Sequence, residues 1–175
     1  MSDTAEWIDL DVAGDAETDI QLAFFRSAPV RERLQIIRAE RRKTGERQIR
    51  FTFDRTFSTE MAHSPNHLTP IGLLPLAQKL LYYLLAAEAG FDPRDHLERF
   101  KIWPVSIQIR VPRLIVKQVG LCGELTETAS HRLTPRSDSL YPGCSPEVVK
   151  GVMTIDGTME FVFECFVYDL LKLTP

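Results

Sequence analysis

The feature that most constrains this chain is Leu73–Ala89, a segment with the composition of a helix that has almost no polar face. Its leucines, tyrosines and alanines fall on every side of a 3.6-residue period, and Gly90 follows as a stop signal. Such a helix is stable only when other structure covers it. The wider apolar run Ile71–Ala87 is interrupted by Gly72, Pro75, Gln78 and Lys79. The sequence therefore predicts a helix in a protein core rather than a membrane span.

The segments on either side of this helix are predicted to be β-strands. In Gln48–Ser58, apolar residues alternate with polar ones, which is typical of a half-buried strand. Alternation returns in Val105–Val111 and more weakly in Leu121–His131. Two further alternating runs flank Asp156-Gly157, a strong signal for a two-residue hairpin. The predicted order is a strand, the apolar helix and then four strands.

Residues 1–47 are predicted to be a helical extension ahead of a single domain that covers residues 48–175. Within the extension, Ala16–Arg26 and Pro29–Lys43 have helix-forming composition, and the second helix is expected to end near Gly45.

Composition excludes several classes of protein. The chain has 175 residues, which suits one domain with a substantial core. A net charge of -3 gives no reason to expect nucleic acid or an anionic membrane as a partner. The three cysteines lie far apart in the sequence, so neither a zinc ribbon nor a disulfide framework is indicated. A cytoplasmic location is expected.

A polar cluster occupies the turn between the strand Gln48–Ser58 and the apolar helix. Glu60, His63, Asn66 and His67 lie within eight residues of one another. Loops on a rigid scaffold are common places for binding and catalysis. A proline separates the two histidines, so they do not share one face of a helix, and no third ligand is evident. The cluster therefore predicts acid–base chemistry without a metal.

This cluster and its flanks resemble the 4-hydroxybenzoyl-CoA-type acyl thioesterases of the hot-dog superfamily. Ser58-Thr59-Glu60, Ala62-His63 and Asn66-His67 are similar to the pattern that leads into the helix of that family. The resemblance implies an α+β hot-dog fold, in which an antiparallel sheet of about five strands wraps around one long apolar helix, here with extra N-terminal helices. It also places Glu60 on the family's catalytic carboxylate and His63 on its histidine.

A second resemblance involves the same residues. Hot-dog dehydratases that act on 3-hydroxyacyl thioesters carry a pattern similar to His63–His67 followed by Pro70-Ile71-Gly72. In those enzymes the helix supplies an acid, whereas this helix has only Gln78 near that position. An amide does not exchange a proton as a carboxylate does. Dehydration is therefore the alternative to hydrolysis, and a non-catalytic acyl-binding or scaffold protein is the other alternative.

Thioester hydrolysis needs an activated water and donors for the oxyanion. Glu60 is the expected general base, and His63 and Asn66 are expected to orient the water or the carbonyl. Backbone N–H groups near the start of the helix are expected to bind the oxyanion. The predicted substrate-binding residues are His67, Leu68, Thr69, Ile71, Gly72, Arg110 and Arg113.

The expected substrate is an acyl group on coenzyme A or on an acyl carrier protein, and no cofactor is expected. The exposed edges of a single curled sheet favour pairing with another chain. The sequence therefore predicts a homodimer or a higher homo-oligomer.

Overall fold

The computed structural model of the protein describes residues 6–12, 17–22, 30–43, 45–58, 68, 72–96, 98–135 and 141–172. Within these residues it contains one α-helix and eight strands. The elements are β1 (Trp7–Leu10), β2 (Glu17–Leu22), β3 (Val30–Arg42), β4 (Gln48–Ser58), α1 (Leu73–Ala89), β5 (Phe100–Arg110), β6 (Leu121–Arg132), β7 (Glu147–Ile155) and β8 (Met159–Asp169), with a 3-10 turn at Leu170–Lys172.

All eight strands belong to one antiparallel sheet. Seven of them follow the order β1-β3-β4-β6-β7-β8-β5, and β2 lies off this path beside β3. The short strands β1 and β2 both pair with β3, β1 along residues 39–42 and β2 along residues 30–35. The chain passes from β4 through α1 to β5, so β5 occupies the opposite end of the sheet from β1. This long connection carries the helix across one face of the sheet.

The helix has the predicted bounds and is buried over much of its surface. Nine of its side chains are buried, and eight of these join one core with inward-facing residues of β3, β4 and β6–β8. Pro75 is the third helical residue, where the missing N–H has no intrahelical acceptor in any case. Gly90 ends the helix in the left-handed conformation (φ 72°) and donates its N–H to the Ala86 carbonyl.

Two glycines on the inner face of the sheet make room for aromatic rings. A Cβ on Gly123 would lie 2.2 Å from the Phe51 ring, and a Cβ on Gly151 would lie 2.5 Å from the Phe163 ring. Both rings are buried. Glycine in a strand commonly marks such a close approach.

The predicted hairpin at Asp156-Gly157 is confirmed. Asp156 (φ 46°) and Gly157 (φ 60°) both have positive φ, as a type I′ turn between β7 and β8 requires. The Asp156 carboxylate also accepts a hydrogen bond from the Cys122 N–H at 2.9 Å, which ties the turn to the start of β6.

The predicted fold class is wrong. The sheet has eight strands rather than about five, and the protein is mostly sheet with one helix of 17 residues, not a small sheet wrapped around a long helix. The two N-terminal segments predicted to be helices contain strands β2 and β3. The division of the chain at residue 47 into an extension and a domain stays a prediction.

The prediction failed at β3 because two features hide its two-residue period. Glu32 is a charged residue on the buried face, beside Leu34 and Ile36. A bulge between Ile36 and Arg38 then shifts the register, so that the next buried residue is Ala39 rather than Arg38. Taken alone, the charged residues of this segment favour a helix. Pairing with the neighbouring strands of the sheet overrides that preference.

Candidate functional site

The predicted site lies at a junction whose two ends the structure defines. β4 ends at Ser58 and α1 begins at Leu73. Between them Leu68 is fully buried, and its N–H donates to the Ile115 carbonyl at 2.8 Å. The predicted strand before the cluster and the predicted helix after it are both confirmed by the ends of these elements. Glu60, His63, Asn66, His67, Thr69 and Ile71 lie outside the described residues, and their roles stay predictions.

The N-terminus of α1 provides backbone donors inside the core. Gly72 is the N-cap residue of α1 (φ -61°, ψ -22°). No side chain of the described residues caps this end, and its first turn has no acidic residue. The N–H groups of Gly72, Leu73 and Leu74 have no acceptor within α1 itself. Together with the helix dipole they favour a negative charge at this end.

A buried ion pair, which the sequence reasoning missed, lies next to the junction. The side chains of Arg55 on β4 and Glu32 on β3 are both fully buried, with Nε and Oε1 3.6 Å apart. Burial lowers the pKa of the Arg55 guanidinium, and the Glu32 carboxylate opposes that shift. Arg55 is in phase with the buried residues Phe51 and Phe53, so a charge at a core position of an alternating strand was the available signal.

The segment after β5 crosses the same region. Its Ile115 carbonyl accepts hydrogen bonds from Arg55 Nη1 (3.4 Å) and from the Leu68 N–H. Its Gln118 carbonyl accepts the Arg55 backbone N–H at 2.7 Å. The predicted substrate-binding residue Arg113 is exposed on this segment, two positions before Ile115. The site thus combines parts of β3, β4, α1 and the segment 111–119.

Arg110 lies in a different setting. It is exposed on β5 directly opposite Glu160 of β8, and Arg110 Nη1 is 3.4 Å from the Glu160 carboxylate. An exposed pair of this kind contributes little to stability. The side chain of Glu160, which lies opposite Arg110, faces away from the core, since the neighbouring residues Met159 and Phe161 are buried. The structure therefore does not bring Arg110 together with the buried parts of the junction.

A groove of about 260 Å³ runs between α1 and β5. It is lined mainly by aromatic and aliphatic side chains, among them Tyr82, Phe100 and Ile102. Gln78 spans the groove, because its Nε2 donates to the Ile102 carbonyl at 3.3 Å. At the position where the dehydratase resemblance requires an acid, the chain thus has an amide that links the helix to the edge strand.

Two larger clefts among the described residues lie elsewhere. One of about 480 Å³ is on the outer face of β3, β4, β6 and β7, and one of about 400 Å³ is near the C-terminal end of α1. In the part of the chain that the structure describes, no cluster of three histidine, cysteine, aspartate or glutamate side chains has the geometry of a metal site. None of the described helices is long and apolar enough to span a membrane.

Comparisons with known proteins identify no family. No protein-family model matches the chain, and no curated protein sequence matches it. Among solved structures, a protein from Shewanella oneidensis named a "putative thioesterase" aligns over 78% of this chain and 82% of its own, with 6% sequence identity. The TM-score of this alignment is 0.38, a value that does not establish a shared fold.

Proposed function

We propose that this protein hydrolyses acyl thioesters at the junction between β4 and α1. The observation that carries the proposal is the buried N-terminus of an apolar helix, which follows the polar cluster in the chain and which no side chain of the described residues caps. Backbone donors in an apolar, water-poor setting are the arrangement that best stabilises a developing oxyanion. The likeness of Ser58–His67 to the 4-hydroxybenzoyl-CoA-type thioesterases supports the same reaction.

In this proposal the Glu60 carboxylate takes a proton from water while the water oxygen attacks the carbonyl carbon. The N–H groups of Gly72, Leu73 and Leu74 bind the oxyanion of the tetrahedral intermediate. The C–S bond then breaks, the thiolate leaves and takes up a proton, and the products are a carboxylic acid and a thiol. His63 and Asn66 orient the water or the carbonyl.

The substrate of this proposal is an acyl group on coenzyme A or on an acyl carrier protein. The exposed Arg113 belongs to the segment 111–119, which contacts Leu68. A phosphate of the carrier bound by Arg113 would therefore lie beside the proposed site. Arg110, three residues earlier, would extend the same positive region if its pair with Glu160 opened.

The test is a panel of acyl-CoA substrates with detection of the free thiol. We expect thiol release by the wild-type protein and a fall in kcat of about 10²-fold or more in Glu60→Gln. Glu164→Gln, an exchange of the same kind on the outer face of β8, is the matched control and should retain wild-type activity. Retention of activity in Glu60→Gln would contradict the assigned base, and no thiol release by the wild type would contradict hydrolysis. Hydration of an enoyl thioester would instead favour the dehydratase, and saturable lipid binding without reaction would favour a binding protein.

We also propose that the protein forms a homodimer through β5. Within the described sheet β5 is the last strand and pairs only with β8. It carries the exposed apolar side chains of Trp103, Val105 and Ile107. At the opposite end of the sheet, β1 has only four residues, whereas β5 has 11. A long apolar edge is the better template for antiparallel pairing with a second copy.

Sedimentation at micromolar concentration tests this partner. The wild-type protein should sediment as a dimer. The Ile107→Lys variant should sediment as a folded monomer, because pairing of two β5 edges would bring the added charges into the interface. Val162→Lys, on the interior strand β8 and half-buried, controls for a general effect of lysine on the sheet. A monomeric wild-type protein would contradict the proposal.

A further inference from the structure

Two opposite charges lie fully inside the core beside the proposed site. The side chains of Glu32 and Arg55 have no exposed area. Leu34 lies opposite Arg55, and Glu32 is two positions from Leu34 on the same strand. Glu32 and Arg55 are therefore diagonal neighbours on one face of the sheet, close enough for the 3.6 Å contact between Arg55 Nε and Glu32 Oε1.

Stability alone does not account for such a pair. Both groups lose their hydration on burial, and the attraction between them offsets that loss only in part. Apolar side chains of similar volume would fill the same space with equal or greater stability. The contribution of the pair is therefore to be found in the groups that it holds in place.

Arg55 contacts the segment 111–119, and the same segment contacts Leu68. Its Nη1 donates to the Ile115 carbonyl at 3.4 Å, and the same carbonyl accepts the Leu68 N–H at 2.8 Å. Its backbone N–H donates to the Gln118 carbonyl at 2.7 Å. Leu68 is four residues before the N-cap of α1, so its position limits where the chain can enter the helix.

We propose that Arg55, held by Glu32, is a positioning residue that fixes the Ile115 carbonyl and through it Leu68 and the approach to α1. Its effect on catalysis rests on the proposed hydrolysis, because the first proposed donor for the oxyanion, Gly72, is four residues after Leu68. A displacement of about 1 Å in such donors lowers a rate by as much as about 10²-fold. The effect on the backbone of Leu68 is independent of what the site binds.

The test uses the double variant Glu32→Leu/Arg55→Met, which removes both charges and keeps the volume filled. Hydrogen exchange of the Leu68 amide, followed by NMR on the whole chain, reports the positioning directly. We expect exchange to accelerate at least tenfold in a protein that still unfolds cooperatively. Thioester hydrolysis should show a fall in kcat of at least tenfold with less than a threefold change in KM.

A matched control is Lys150→Met/Glu164→Leu, which removes a directly paired ion pair on the outer face of β7 and β8. It should change neither exchange at Leu68 nor kcat. Arg55→Lys is the second variant in case the double variant does not fold. It keeps a charge beside Glu32 but lacks the guanidinium fork that reaches the Ile115 carbonyl as well, so it too should speed exchange at Leu68.

The outcomes separate the two proposals. Wild-type exchange at Leu68 in either folded variant overturns the positioning role, whatever the activity. Faster exchange with unchanged kcat overturns the catalytic part of the role. A wild-type protein that releases no thiol overturns the hydrolase, while exchange at Leu68 still decides whether Arg55 positions this segment.

Discussion

Replacement of Arg47 by methionine should lower the free energy of unfolding by about 3 kcal/mol. The guanidinium contacts three carboxylates from three elements. Its Nε lies 2.9 Å from both Glu88 oxygens on α1, and its Nη1 lies 2.9 Å from Glu127 on β6 and 2.8 Å from Glu147 on β7. Although burial lowers the pKa of Arg47, these three hydrogen bonds together raise it. The residue therefore links the C-terminal end of the helix to the sheet.

The magnitude follows from the geometry. An exposed ion pair contributes up to about 1 kcal/mol, whereas removal of one partner of a buried pair costs about 3–5 kcal/mol. The three carboxylates have 33%, 14% and 19% of their side-chain surface exposed, which lies between these cases. About 1 kcal/mol for each of the three contacts gives the total. For a chain of this length the corresponding fall in Tm is about 6–12 °C.

Urea unfolding at pH 7 and 25 °C measures this loss. Arg50→Met, three residues further on in β4, is the matched control, because Arg50 is exposed and lies 3.6 Å from Glu124. This change should cost less than about 1 kcal/mol. In a background of Glu127→Gln/Glu147→Gln the loss from Arg47→Met should fall to about 1 kcal/mol, since only the Glu88 contact remains charged. An equal loss in both backgrounds, or a loss below about 1 kcal/mol in the wild type, would refute the reasoning.

Two further changes test the core. Burial, helped by nearby carboxylates, raises the pKa of the Cys165 thiol to about 12. The unfolded thiol loses its proton first, so stability should fall by about 1.4 kcal/mol as the pH rises from about 7 to one unit above the unfolded pKa. Chemical unfolding of wild type and Cys165→Ala across this range should show a shallower decline in the variant, and parallel curves would contradict the assignment. Gly151→Ala would place a methyl group 2.5 Å from the Phe163 ring and 3.0 Å from the Thr126 carbonyl oxygen, so a loss of about 1–3 kcal/mol is expected. Phe163→Leu in the same chain should recover part of that loss, and an unaltered loss would show that the ring is not the obstacle.

The sequence was sufficient for the strand and helix that form the junction. The bounds of β4 and α1 agree with those predicted. β4 has a two-residue period that only Arg55 interrupts, and α1 is a long apolar run closed by a glycine. In both cases a local pattern and its tertiary environment favour the same structure. The turn at Asp156-Gly157 was equally predictable, because few residue pairs adopt positive φ at two successive positions.

The candidate site was only partly predictable. The cluster around Glu60 and His63 could be located by composition, but its chemistry depends on side-chain placement that local sequence does not determine. The contact between Leu68 and Ile115 joins residues 47 positions apart, and no periodic pattern reports such a pair. Arg55 and Glu32 were missed for a related reason, because each charge is tolerated in the core only in the presence of the other.

The bulge that disguised β3 is itself open to test. Ile37 is exposed and has no partner on β4, since Ile36 pairs with Phe53 and Arg38 pairs with Thr52. Deletion of Ile37 would leave every other side chain of β3 on its present face. We therefore expect the deletion to change the free energy of unfolding by less than about 1 kcal/mol, the range of ordinary surface changes.

Deletion of Thr52 is the matched control. Thr52 pairs with both Arg38 and Cys122, so its loss would turn the inward-facing residues on one side of it toward solvent. That variant should fail to fold, as judged by circular dichroism and urea unfolding. If deletion of Ile37 were equally damaging, the bulge would be needed for the local twist that lets the sheet pack over α1. The structure of β3 would then depend on the bulge residue Ile37 as well as on the buried residues of the strand.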